Sequence, residues 1–245
     1  MEKIDCLIKR MTGKRIEPAD YYLKTKELPN SFVTESYQKL IINLDYANTD
    51  GQYKVIQFAS TLDIENKTSF ISNFSFLLSQ KGKKVCLVDL DFRNPKLHLV
   101  FNEQNQKGLS DYLTGHMGTK ELIKHSKAVG IDYILAGKLS SSVVNALESQ
   151  KLHDLIEQLR QTYDYVLLDT PPVIAVADAL YVAKLSDGII FLVAQEVAKK
   201  TLVTEAIETF KANQVNFIGI VLTQAILSKG DYDHRYAYSP SDQKS

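Results

Sequence analysis

Lys67 and Thr68 stand where a strand-like run, KVIQFAS at 54–60, gives way to a helical pattern. A lysine and a hydroxyl at such a junction are what a phosphate-binding loop requires. The ammonium meets phosphate oxygens and the hydroxyl serves Mg²⁺. Phosphate would lie at the helix N-terminus, against free backbone N–H groups and the positive end of the helix dipole. Ile64 and Asn66 hold the positions, three and one before the lysine, where such a loop expects glycine. Asn tolerates a left-handed backbone and Ile does not. The other reading of this stretch is a plain strand–turn–helix with a solvated lysine. A second candidate is Asp89 and Asp91, ending the apolar run KKVCLVDLD at 83–91. At i and i+2 on an extended chain, both carboxylates face the same way. They suit Mg²⁺ coordination or acceptance of a proton from an attacking hydroxyl. The alternative is that Asp91 caps a turn before Pro95. A third is Asp169, which ends YDYVLLD and precedes Thr170-Pro171-Pro172. It is placed for the metal side of a phosphate site, or for capping a loop.

The remaining reactive residues form no constellation. The five histidines lack metal-ligand spacing and the two cysteines are far apart, so no zinc pattern exists. No G-x-S-x-G turn is present. Cys86 sits inside an apolar run and reads as a buried small side chain. Tyr232, Tyr236 and Tyr238 crowd the polar C-terminal segment beside Asp231 and Asp233. Aromatic residues there have no core to join, so they suggest modification or docking.

These residues need a frame. Apolar runs at 54–60, 83–91, 132–137, 163–172, 188–195 and 216–224 read as buried strands. Helical patterns fall between them at 67–81, 146–162 and 200–212, with another at 31–48 ahead of the first strand. Buried strands alternating with helices predict an α/β fold, a mainly parallel sheet with helices on both faces. In such sheets ligands bind outside the carboxyl ends of the strands, where all three candidates lie. Residues 1–30 read as a polar arm, 31–227 as one α/β domain and 228–245 as a mobile tail.

Composition narrows the function. Lys plus Arg is 29 and Asp plus Glu is 29, giving a net charge of zero. A nucleic-acid binder would show a basic excess, so nucleic acid is not an expected partner. Two cysteines in 245 residues exclude a disulfide scaffold and suit a reducing cytoplasm. No apolar run reaches the ~18 residues of a membrane-spanning helix.

Together the pieces resemble the bacterial tyrosine kinases of capsule and exopolysaccharide synthesis, in their cytoplasmic CpsD-type form. The likeness spans roughly 30–240. It rests on VCLVDLDFRNPKLH (85–98), GLSDYLTG (108–115), YDYVLLDTPPVIAVADAL (163–180), ESYQKLIINL (35–44) and the tyrosine-bearing tail. It implies a phosphate-loop NTPase fold of the MinD/ParA type, and ATP and Mg²⁺ as cofactors. It further implies nucleotide contacts at Ser60, Asp63, Ile64, Glu65, Asn66, Lys67, Thr68 and Thr223. Lys67, Asp89 and Asp91 would be catalytic. Thr68, Asp91 and Asp169 would serve the metal, and Tyr232, Tyr236 and Tyr238 would accept phosphate. The resemblance also implies a membrane-embedded chain-length protein as activating partner, holding the chain peripherally at the inner membrane face, and self-association through helix 31–48. The sequence departs from the family at Ile64 and Asn66. It also reads Glu35, Gln38 and Ile41 where the family has a Glu and two arginines. These departures keep a second reading open, a catalytically impaired pseudokinase that acts as a binding module. A positioning ATPase is a third, in which the tail tyrosines have no role.

Overall fold

Apolar runs bounded by polar turns build the sheet. The computed structural model describes residues 23–63, 66–139, 142–173 and 177–224. Its strands are β1 (Val55–Ser60), β2 (Val85–Asp89), β3 (Lys124–Ser126), β4 (Ile131–Ile134), β5 (Tyr165–Asp169), β6 (Gly188–Ala194) and β7 (Phe217–Thr223). They form one sheet in the order β3-β4-β2-β5-β1-β6-β7. All pairings are parallel except β3 with β4. Every residue of β1, β2 and β5 is buried. That is why these strands read as unbroken apolar runs: both faces are covered.

The helices follow from their apolar spacing. They are α1 (Lys24–Glu27), α2 (Phe32–Ala47), α3 (Lys67–Gln80), α4 (Leu97–Val100), α5 (Leu109–Leu113), α6 (Thr119–Leu122), α7 (Val143–Leu147), α8 (Gln150–Thr162), α9 (Asp178–Ala183) and α10 (Lys200–Ala212). In α8, Leu152, Leu155, Ile156 and Leu159 are buried, the i, i+3, i+4, i+7 stripe of a core-facing helix. Helix α3 packs Ile71, Phe74 and Leu78 against the sheet, where Phe58 and Phe74 meet edge to face at 5.7 Å.

Four expectations change. The helix expected at 146–162 is two, because Ser149 starts a new one by accepting from the Leu152 N–H at 3.3 Å. The arm expected at 1–30 contains α1, tied down where Asn73 Oδ1 accepts from the Thr25 N–H at 2.9 Å and its hydroxyl at 3.0 Å. The short antiparallel β3 has no apolar alternation to announce it. The last strand, expected to be buried, lies at the sheet edge with Ile220 and Leu222 each 57% exposed.

The GLSDYLTG and ILAG stretches dock on each other. The Leu109 N–H donates to Leu135 O at 2.8 Å and the Ser110 N–H to Ala136 O at 2.9 Å. A Cβ on Gly108 would fall 2.2 Å from Leu135 O and 2.7 Å from the Gly137 nitrogen. Backbone cannot yield as a side chain can. Gly108→Ala is therefore expected to destabilise by about 3 kcal/mol or more, the upper end of overpacking costs. Gly118→Ala, at a position with nothing within 4 Å of its Cβ, should be nearly neutral. Thermal unfolding of the two variants side by side checks this.

Candidate active site at the strand ends

Parallel pairing brings the carboxyl ends of β1, β2 and β5 to one edge of the sheet. Asp89 and Asp169 are direct register partners across β2 and β5, and Phe58 of β1 pairs with Asp169 on the other side. Asp169 therefore sits between Asp89 and the loop that follows β1. That loop enters α3 through Asn66, whose backbone is left-handed at φ 54° and ψ 36°. An asparagine in a glycine position thus keeps the turn that a glycine would give, as its short polar side chain permits. Ile64 and Glu65 lie outside the described residues.

Lys67 and Thr68, the first two residues of α3, both turn to Asp169. The Lys67 ammonium pairs with Oδ1 and the Thr68 hydroxyl donates to Oδ2. All three side chains are buried. The lysine is therefore not solvated, and the plain strand–turn–helix reading fails. Burial opposes its charge, but the attraction of Asp169 and Asp91 prevails and holds the Lys67 pKa above its usual value.

Asp89 is 1% exposed. Its Oδ1 accepts from the Asp91 N–H at 3.1 Å and its Oδ2 from the Leu97 N–H at 3.2 Å. Burial first, then the charges of Asp169 and Asp91, push its pKa well above the ordinary carboxylate range. Asp91 Oδ1 accepts from the Asn94 N–H at 2.9 Å and the Arg93 N–H at 3.2 Å. So Asp91 does cap its own turn, as one reading had it, while still lying within the field of Lys67. Burial raises its pKa and Lys67 opposes that rise.

The structure adds Asn94, Lys96, Arg93 and Asp178, which sequence reasoning passed over. Asp63, an expected nucleotide contact, pairs with Lys96 and accepts from the Asn94 side chain at 2.8 Å, which ties the loop after β1 to the loop after β2. Arg93 grips the buried Asp178 through Nε at 2.6 Å and Nη2 at 3.1 Å. The RNPK run at 93–96, inside the segment already singled out, was the available signal. Two other expected residues make contacts outside this cluster. The Ser60 hydroxyl donates to Leu62 O at 3.1 Å. Thr223 ends β7, on the same sheet edge but beyond β6, and lines an apolar groove with Phe32, Tyr37, Leu40 and Phe70. Tyr232, Tyr236 and Tyr238 lie outside the described residues.

Does this set fit a nucleotide and Mg²⁺? Among the described residues, the Thr61 and Thr223 hydroxyls, each at a strand end on this edge, are buried without a hydrogen-bond partner. Buried polar groups ordinarily have one, and a polar ligand would provide it. Among the described residues no three His, Cys, Asp or Glu side chains converge as an all-protein metal cage does. Mg²⁺ in phosphate chemistry needs only one or two protein oxygens, with phosphate and water completing its octahedron. A hydroxyl and a carboxylate side by side, Thr68 and Asp169, are hard donors of that kind.

A family model described as an AAA domain matches residues 53–218. A putative tyrosine-protein kinase of the cps region of Klebsiella pneumoniae is 30% identical over 220 residues, covering 90% of this chain and 30% of that protein. The chain thus spans under a third of that relative's length. The tyrosine-protein kinase YwqD of Bacillus subtilis is 28% identical over 201 residues, 82% of this chain and 85% of that protein. Among solved structures, the kinase domain of the Escherichia coli tyrosine kinase ETK superposes with TM-score 0.81 at 24% identity, covering 88% and 83% of the two chains. The septum site-determining protein MinD of Pyrococcus horikoshii, complexed with Mg-ADP, gives TM-score 0.59 at 22% identity over 74% and 76%. These two likenesses establish the fold, a mainly parallel sheet flanked by helices as expected.

Proposed function

The chain belongs to the AAA-domain family and, within it, to the bacterial tyrosine kinases, and from that premise we propose that it is an ATP-dependent protein-tyrosine kinase of capsule or exopolysaccharide synthesis. The observation that carries this reading is the buried cluster in which Lys67 and Thr68 both engage Asp169, with Asp89 and Asp91 alongside. Such transfer needs positioning and charge stabilisation more than covalent help from the protein. Lys67 exchanges its pairing with Asp169 for the β- and γ-phosphates. Thr68 and Asp169 would hold Mg²⁺, with Asp91 ordering its water shell, and the ion would supply neutralisation of the phosphate charge. Asp89 takes the proton from the incoming phenol as its oxygen bonds to the γ-phosphorus and ADP leaves. Ser60, Asp63, Ile64, Glu65 and Asn66 line the phosphates, and Thr223 closes the base end of the site.

Residues 31–227 form the kinase domain in this reading, and Tyr232, Tyr236 and Tyr238 of the tail accept phosphate. No helix among the described residues is long and apolar enough to cross a membrane. Attachment to the membrane then runs through an embedded chain-length protein that activates the kinase. Val33, Ile42 and Tyr46 on α2 are exposed and suit self-association. The second reading, a pseudokinase docking module, draws on Ile64, which replaces a glycine that would bring N–H groups to the phosphates.

Phosphotyrosine mapping separates the two. Incubated with Mg²⁺ and ATP, the chain is expected to gain phosphate at Tyr232, Tyr236 and Tyr238. Replacing all three by Phe should remove at least about nine-tenths of the label. Label that persists places the acceptor elsewhere. No label, together with no ATP binding at millimolar nucleotide with or without the partner's cytoplasmic segment, favours the pseudokinase.

A further inference from the structure

Strand β1 is buried from end to end, yet its middle holds a carboxamide, Gln57. Burying such a group is unfavourable unless it is hydrogen-bonded. Gln57 alternates with Ile56 and Phe58 and shares a face with Ala59, the face that α9 covers. There its Nε2 donates to Ala179 O, in the first turn of α9, at 2.9 Å and to the Thr170 hydroxyl at 3.3 Å. A carbonyl only accepts, so the NH₂ end of the amide is the one that faces α9. The Thr170 hydroxyl donates onward to Phe58 O at 2.9 Å. Gln57 Oε1 is buried without a partner among the described residues. An apolar side chain of the same size would strand no acceptor there. What distinguishes Gln57 from such a residue is what its NH₂ group holds.

Both of its partners adjoin the site. Thr170 follows Asp169, whose carbonyl accepts from the Leu90 N–H at 2.8 Å, between Asp89 and Asp91. Ala179 follows Asp178, which accepts from Nε and Nη2 of Arg93. The Arg93 N–H donates in turn to Asp91 Oδ1. Two hydrogen-bonded routes thus run from one buried amide to the segment after β2. One passes through Asp169 and Leu90, the other through Asp178 and Arg93. A polar network of this kind inside a protein rigidifies what it joins.

We propose that Gln57 is a positioning residue, which fixes from inside the sheet where Asp91 and its loop stand relative to Asp169. Wholly buried, it meets neither nucleotide nor acceptor. It ties α9 and the residue after Asp169 to the central strand, and these hold the segment after β2 in place. The coupling rests on the hydrogen bonds alone; its consequence for phosphoryl transfer rests on the kinase reading. In that reading the carboxylates must meet the reacting atoms in a set geometry, and a misplacement of about 1 Å can cost about 10²-fold in rate. Lys67 and Thr68 are placed by α3, which Gln57 does not hold, so the grip on nucleotide should change little.

Gln57→Leu in the full chain removes the amide and keeps the volume. Amide hydrogen exchange at 90–97, a segment that Gln57 does not touch, should quicken at least about fivefold, while α8 exchanges as in wild type. Asp178→Asn breaks the second route beyond Gln57 and leaves β1 intact; it should quicken the same amides. In the phosphotyrosine assay, Gln57→Leu should lower kcat at least about tenfold and leave the KM for ATP within about twofold. Wild-type exchange at 90–97 in both variants overturns the proposal. So does exchange that quickens evenly across the chain with a lower melting temperature, which assigns Gln57 to general packing. An unchanged kcat, or a loss confined to KM, overturns the role in transfer. If the wild-type chain labels no tyrosine, the kinase reading fails, and the exchange rates still decide the coupling.

Discussion

Lys67→Met is expected to abolish ATP-dependent tyrosine phosphorylation, to below about 1% of the wild-type rate. Loss of one well-aimed donor typically costs about 10²–10³-fold, and Lys67 carries a full charge as well. The substitution also has a structural consequence. Lys67 is the cation inside a cluster of three buried carboxylates, and removing one partner of a buried pair costs about 3–5 kcal/mol. Among the described residues, Asp169 then keeps only the Thr68 hydroxyl as a side-chain partner. A dead enzyme could therefore be merely an unfolded one. Adding Asp169→Asn to Lys67→Met removes the stranded charge, so the double variant should recover stability without recovering activity. Thermal melts and phosphotyrosine assays of the two variants check both halves. Labelling by Lys67→Met at the wild-type rate would mean that this lysine does not meet phosphate.

The placement of this cluster was legible because it depends on strand ends. A buried strand needs a long apolar run, and an acid closing such a run is placed at the sheet edge by the run itself. That is how Asp89, Asp91 and Asp169 were found in 83–91 and 163–172, and Lys67 with Thr68 after 54–60. The partners among them were not legible. Which carboxylate takes the lysine depends on strand order, and β5 lies between β1 and β2 although it comes much later in the chain. Asp63 with Lys96 and Arg93 with Asp178 depend on two loops meeting over that edge. Exposure of β7 was misread for a related reason: FIGIVLT has the composition of a buried strand, and only strand order puts it at the rim. Asn66 lies between these cases. Its tolerance of a left-handed backbone was readable, whereas the sharp entry into α3 that uses it is a property of the fold.

Asp89→Asn tests the proton acceptor and the electrostatics together. Loss of a general base should lower phosphoryl transfer by about 10²–10⁴-fold with ATP affinity little changed. The linkage to pH has a definite sign. The folded-state pKa of Asp89 is raised well above its value of 3.8 in the unfolded chain. Between those two values the folded state binds the extra proton. Rising pH therefore removes stability, starting near 3.8 and ending once the folded carboxyl has ionised. Asn cannot ionise and lacks that loss. It also puts an amide NH₂ where Asp89 now accepts a second backbone N–H, a fixed penalty of about 1–3 kcal/mol at all pH values. The stability of Asp89→Asn relative to wild type should thus climb with pH across this window, at up to about 1.4 kcal/mol per unit. Denaturant unfolding of both proteins from pH 4 to pH 8 measures it. A constant difference would mean that Asp89 ionises as freely in the folded chain as in the unfolded one. A carboxyl whose pKa is raised by burial and then by neighbouring carboxylates stays protonated to higher pH, and only its ionised form can take a proton. The wild-type transfer rate should accordingly rise with pH, and the Asp89→Asn residual should not.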